Sequence, residues 1–204
     1  MKSIKLFILI FFLSFNVSAQ ITLEDSAKVF LKEVNSARNN PKAFKDFLIS
    51  YASKKVVYKS GVGLDAFKEA VAFLDTVKPV GNLIYSDAIY KAIGDHTGID
   101  TVKGVVKHDG KCLKRIGRYN NSFRIAGENF ILITKKTVIG DKAFVKQMSM
   151  KEALAEFIID ITMYNQGDFR GSHRSSIFNP NYKFTSVKII LVGSNFYLIQ
   201  EFAG

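Results

Sequence analysis

The residue whose surroundings ask most of it is Glu128. It precedes Asn129 and the apolar run Phe130-Ile131-Leu132-Ile133, so its carboxylate sits at the edge of a buried strand. An ionised group there costs several kcal/mol unless it is paired or coordinated. Glu128 therefore faces a ligand, or it ties down backbone amides or an arginine; both readings stay open. The chain also carries three histidines. His173 stands in Arg170-Gly171-Ser172-His173-Arg174, His108 opens the turn His108-Asp109-Gly110, and His96 falls on the packing side of a helix. Nucleophilic chemistry finds little support. Ser172 adjoins His173, but chain neighbours rarely face one another, and no Gly-x-Ser-x-Gly elbow occurs. His108 and Cys112 would meet only on a continuous helix. Gly61-x-Gly63 is too short a signal for a phosphate cradle. Cys112 is the single cysteine, so no intrachain disulfide can form. Its expected role is that of a small buried apolar residue.

Periodicity gives the elements that must position these side chains. Ala27, Phe30, Val34 and Ala37 alternate gaps of three and four, one face of a first helix. Asn39-Asn40-Pro41 ends it and opens a second, with Phe44, Phe47, Leu48 and Tyr51 inward. Residues 52–63 are polar and glycine-punctuated and read as a loop, followed by a third helix over 64–77. Ser86 caps a fourth helix through Ile89, Ala92, Ile93 and His96, and 98–110 reads as loop. A short helical piece then has Leu113 and Ile116 inward, Arg115 and Arg118 outward. Residues 123–134 read as a strand interrupted near Gly127, where glycine marks a bulge or a close backbone approach.

Ser149-x-x-Glu152 is a capping box for a helix that buries Ala153, Leu154, Phe157, Ile158 and Ile161. Asp160 lies at the edge of that face, either turned inward or a solvated boundary residue. After a loop over 167–174, a hairpin pairs 184–192 with 196–203 through Gly193-Ser194-Asn195. Helices first, a strand and helix in the middle and a hairpin last argue an α+β fold with a mostly antiparallel sheet.

The N-terminus reads as an address. Met1-Lys2-Ser3-Ile4-Lys5 is a basic opening, 6–15 an apolar run, and Val17-Ser18-Ala19 the small residues a signal peptidase reads. Residues 1–19 are thus expected to be a signal peptide, cleaved before Gln20 and too short to span a bilayer. This implies export, to a periplasm or the extracellular space, with 20–204 as one domain. Cleavage takes the net charge from +11 to +9. That excess suits phospholipid headgroups or acidic polymers; nucleic acid would suit it too, but export removes the usual opportunity, so no nucleic-acid partner is expected, and scattered lysines also serve solubility.

His108, then Gly127-Glu128-Asn129, then the capped helix with Asp160, then Gly171-Ser172-His173-Arg174 resemble the CAP superfamily, the SCP/PR-1-like or cysteine-rich secretory protein family. Asn35-x-x-Arg38-x-x-Pro41 fits the same pattern. The resemblance implies a three-layer α-β-α sandwich over nearly all of 20–204, of the bacterial branch that lacks disulfides. It also implies a cleft tetrad of His108, Glu128, Asp160 and His173, with Asn129 and Arg174 structural. His108 and His173 would then be candidate metal ligands, suited to a divalent ion such as zinc. The family's motif is Gly-His-Arg; the extra Ser172 here is able to turn the His173 ring out of the cleft.

The resemblance names a fold and not a reaction. It implies first a non-enzymatic binding module whose cleft takes a lipid-like or anionic envelope ligand. The alternatives are a metal-dependent hydrolase with Glu128 as general base, and a structural envelope protein with no active site.

Overall fold

The computed structural model describes residues 23–139, 142–145, 148–164, 167 and 170–204, with residues 23–24, 134–139 and 142–145 described in backbone only. The expected signal segment and its cleavage point lie outside the described residues. Among the described residues no helix is long and apolar enough to cross a membrane.

The fold is α+β. Its sheet has the strand order β1-β6-β7-β4-β5. The strands are β1 (Ile84–Tyr85), β4 (Ala126–Ile139), β5 (Lys142–Val145), β6 (Phe184–Val192) and β7 (Asn195–Ala203). All pairs are antiparallel except β1 with β6. Gly193 supplies the left-handed φ of 61° that the β6–β7 turn requires.

Alternation along β7 sends its side chains to opposite faces. Leu198 and Phe202 join the core beneath α1 (Leu23–Asn39), α2 (Pro41–Ser53), α3 (Gly61–Thr76) and α6 (Met150–Ile159). Ile199 and Ala203 face α4 (Asp87–Gly94) and α5 (Cys112–Gly117). Arg38 on α1 is fully buried and donates to the carbonyl oxygens of Gly81 and Ile177. Burial holds its pKa down at about 10.

Local chemistry sets most boundaries. Asn40 accepts from the Ala43 amide (3.1 Å) ahead of Pro41, and Ser149 and Glu152 close the capping box on α6. Within the expected loop 52–63, α2 runs on to Ser53, a 3-10 turn covers Val56–Tyr58, and α3 starts at Gly61. Gly63 makes this possible, because a Cβ there would collide with the Val57 carbonyl. Ser86 caps α4 as expected, but the helix stops at Gly94, before His96. The expected loop 98–110 contains a small hairpin, β2 (Ile99–Asp100) with β3 (Val105–Val106).

Strand β4 passes through Gly127 without interruption, and its register shift falls between Leu132 and Thr134 instead. Gly127 is a close approach: a Cβ would meet the Tyr182 hydroxyl and ring. Around α5, Ile116 is buried and Arg118 exposed as expected, but Leu113 and Arg115 are exchanged. Leu113 is 40% exposed and Arg115 only 1%. The reason lies beneath α5, where the sheet presents carboxylates rather than an apolar surface.

Candidate functional site

Those carboxylates are Glu128 on β4 and Glu201 on β7, direct cross-strand partners in the sheet register. Like charges placed so are destabilising, and burial makes the cost larger. Arg115 answers both. One terminal nitrogen of its guanidinium (Nη2) lies 2.5 Å from Glu128 Oε2 and 2.5 Å from Glu201 Oε1, and the other (Nη1) donates to Asp109.

Burial pushes the Glu201 carboxyl up to about 7, with the Glu128 charge adding and Arg115 opposing. Burial would raise Glu128 too, but His108, His96 and Arg115 outweigh it and hold that carboxyl down at about 2. Against the pull of burial, the Thr97 hydroxyl, the Lys111 amide and Arg115 keep Asp109 well below the usual carboxylate range.

Two imidazoles complete the Glu128 cluster. His108 Nδ1 lies 2.8 Å from Glu128 Oε1, and its ring packs on Phe130 with centroids 4.4 Å apart. His96, just past the end of α4, accepts the Gly98 amide at Nδ1 (2.9 Å) and sets Nε2 2.8 Å from Glu128 Oε2. With Nδ1 accepting, the ring proton belongs on Nε2, the nitrogen beside the carboxylate. His96 is therefore no helix-packing residue; it is a buried member of the charge cluster.

The second acid–imidazole pair is built from the other side of the sheet. Asp160 ends α6 in the left-handed conformation (φ 59°) and is 2% exposed, not a solvated boundary residue. Its Oδ2 accepts the His173 amide at 3.1 Å, and its Oδ1 lies 2.8 Å from His173 Nδ1. One carboxylate thus accepts the backbone amide of His173 and lies beside its ring, in the first turn of α7 (Ser172–Ile177). The expected loop 167–174 is in part this helix. The extra Ser172 does not turn His173 away: Gly171 absorbs it at φ 70°, and Ser172 becomes the first residue of α7. Arg174 donates to the Ile158 and Ile159 carbonyl oxygens at the end of α6 and to Glu69.

Adjacent residues on β4 join the two halves. Glu128 points to the α4–α5 face and holds His108; Asn129 points to the opposite face and donates to the His173 carbonyl at 3.0 Å. Residues 126–132 of β4 pair with β7, whereas β5 pairs only further along, at 136–139. Around this outer edge lies a cavity of about 720 Å³. Its lining takes Phe130 and Leu132 from one face of β4, Ile131 from the other, and both His108 and His173. Each of these rings has its Nδ1 on a carboxylate, which leaves Nε2 as the remaining nitrogen. Glu156, also on the wall, accepts from the Tyr51 and Tyr58 hydroxyls. Burial, together with that carboxylate, raises both phenol pKa values.

Among the described residues, the triads of donor atoms close enough for one ion are His96–Asp109–Glu128 and Cys112–Glu128–Glu201. Neither contains His108 or His173, and in both the cation between the carboxylates is the Arg115 guanidinium. Cys112 is largely buried with its thiol on the Gly127 carbonyl (3.4 Å), and burial pushes its pKa up. Such a thiol is a poor nucleophile. Arg115, Asp109, Glu201 and the pairing of His96 were missed by sequence reasoning. Glu201 did leave a signal, as a charge inside the apolar strand 196–203.

No protein-family model matches the chain, and no curated protein matches it. Among solved structures it is similar to a cysteine-rich secretory protein from Staphylococcus aureus subsp. aureus Mu50, at 11% identity and a TM-score of 0.39. That likeness covers 69% of this chain and 37% of the other, and at such a score it assigns neither fold nor function.

Proposed function

We propose that this chain is an exported, CAP-like binding module whose cleft receives an elongated, mostly apolar ligand and fixes its polar end between His108 and His173. The observation that carries this reading is the 720 Å³ cavity around the edge of β4, into which both carboxylate-backed imidazoles face. Its volume falls within the range of small-molecule sites, and apolar walls with a few convergent polar groups are their usual make-up. Phe130, Leu132, Met148 and Met163 offer the apolar wall. The helices on both faces of the sheet fit the three-layer sandwich that the motifs suggest, and residues 1–19 suggest a place outside the cytoplasm.

Catalysis fits less well. A general base must be free to take a proton near the working pH. Glu128 is committed to Arg115, His96 and His108, with its carboxyl at about 2. A carboxylate behind each imidazole is the second shell that metal ligands use. Two imidazoles nevertheless fall short of the three protein ligands a catalytic zinc holds, and the described donors supply no third beside them.

The test is mass spectrometry of organic extracts of the purified protein, with titration of a fluorescent fatty acid into wild type and a His108→Ala/His173→Ala double variant. Binding in the micromolar range that the double variant loses supports the reading. No extracted or added lipid bound by the wild type defeats it. Calorimetric zinc titration addresses the hydrolase: heat lost in the same double variant would revive it.

A further inference from the structure

Away from the cleft, the connection between α2 and α3 has a composition that the fold does not require. Residues 47–64 contain Lys54, Lys55 and Lys59 and no acid. Within them Val56 is 80% exposed and Val57 53%, with Val62 at 40% on the first turn of α3. Single exposed apolar residues are ordinary; adjacent exposed valines flanked in sequence by lysines are not.

The display is fixed rather than incidental. Tyr58 takes the inward position of the 3-10 turn, 3% exposed, and its hydroxyl is held by Glu156 on α6. The Val57 carbonyl rests against Gly63, where no side chain would fit. Inward Tyr58 leaves Val56 and Val57 to the outside. Lys54 and Lys59 are exposed, and Lys55 lies over the Tyr51 ring, 4.8 Å from its centroid. The tip of the β2–β3 hairpin makes a contrast. Val102 is 96% exposed there, but neighbouring Lys103 is paired with Asp100 (3.7 Å), so that tip carries no net charge to attract an anion.

We propose that residues 54–62 form a docking surface for an anionic lipid bilayer, with Val56 and Val57 entering the headgroup boundary and Lys54, Lys55 and Lys59 meeting lipid phosphates. Charge complementarity selects the occupant. Three lysines with no salt bridge among the described residues, in a chain of net charge +9 after the expected cleavage, favour an anionic surface, and the paired valines favour one with an apolar layer beneath the charge. A soluble polyanion would use the lysines and leave the valines idle.

The probe is vesicles of phosphatidylcholine with and without phosphatidylglycerol, measured by co-sedimentation at low and high salt. Wild type is expected to bind only the anionic vesicles, and less at high salt. Lys54→Gln/Lys55→Gln/Lys59→Gln should lose roughly fivefold per lysine, about a hundredfold in all. Val56→Ser/Val57→Ser should lose about tenfold.

The chain contains no tryptophan, so Val56→Trp gives a single reporter whose emission should move to the blue on anionic vesicles. His108→Ala/His173→Ala should bind vesicles as wild type does, which separates this surface from the cleft. The proposal is overturned by a wild type that ignores anionic vesicles, or by lysine variants that bind unchanged. Valine variants that bind unchanged, with no blue shift, would reduce the surface to a charge reader and overturn it equally. Loss of vesicle binding in the histidine double variant would move the contact to the cleft.

Discussion

Replacing Arg115 by methionine is expected to make fold stability strongly dependent on pH. The guanidinium stands between Glu128 and Glu201 at 2.5 Å from each and also holds Asp109. Methionine keeps much of the side-chain length and removes the charge. Two glutamates in direct cross-strand register are then buried without their cation. Breaking a buried ion pair from one side costs about 3–5 kcal/mol, a large share of the roughly 5–15 kcal/mol that holds a domain together.

The sign with pH follows from proton uptake. Without Arg115 the folded pKa of Glu201, already raised by burial, moves further up, and that of Glu128 moves up from about 2 while His108 and His96 still hold it down. The Glu201 part of the penalty is absent below its unfolded value near 4.5 and grows as pH climbs toward the raised folded value, whereas the Glu128 part persists until pH falls toward 2. Urea denaturation followed by far-UV circular dichroism suits a chain without tryptophan. The variant should lose about 3–5 kcal/mol near neutral pH and less near pH 4, where the Glu128 part alone remains. Arg115→Lys, which keeps the charge and loses the fork, should fall between. A loss within about 0.5 kcal/mol, or an equal loss at both pH values, would refute the role given to this cluster.

Other expectations follow from the same geometry. Because burial raises the Glu201 carboxyl to about 7, wild-type stability should fall as pH rises from the unfolded value near 4.5 to about 7, by roughly 3 kcal/mol; Glu201→Gln should flatten that slope in denaturant titrations at a series of pH values. Asn129→Ala removes the amide on the buried His173 carbonyl and should cost about 1–3 kcal/mol; it should also weaken cleft binding by letting α7 shift, which fatty-acid titration reads. Gly127→Ala drives a methyl into Tyr182 and should cost about 1–3 kcal/mol by thermal melting, with part of the loss restored by Tyr182→Phe.

Much of the frame was legible because it rests on local chemistry. The capping box at Ser149, the Asn40–Pro41 junction, the Ser86 cap and the closing hairpin are satisfied by neighbours in the chain. What could not be read depends on contacts between distant residues. Arg115 looked like a solvent-facing basic residue, and only the sheet register, by setting Glu128 beside Glu201, makes burying it favourable. The reversal of Leu113 and Arg115 follows from that. His96 looked apolar in its surroundings for the same reason, since Glu128 is remote in sequence. A glycine at 127 suits a bulge or a close approach; the close approach is the one present, and it comes from Tyr182, far along the chain.

The pairing of His108 with Glu128 and of His173 with Asp160 around one strand edge is a property of the fold, because strand alternation lets Glu128 and Asn129 serve opposite faces.

The cleft is tested most directly at its imidazoles. The chain has only three, so histidine-labelled protein gives three ring signals, assignable by substitution. On titration with a long-chain fatty acid, the His108 and His173 resonances should move together along one binding curve, while buried His96 moves least. If neither moves, or His173 stays fixed while His108 shifts, the rings do not share a ligand and the cleft reading is wrong.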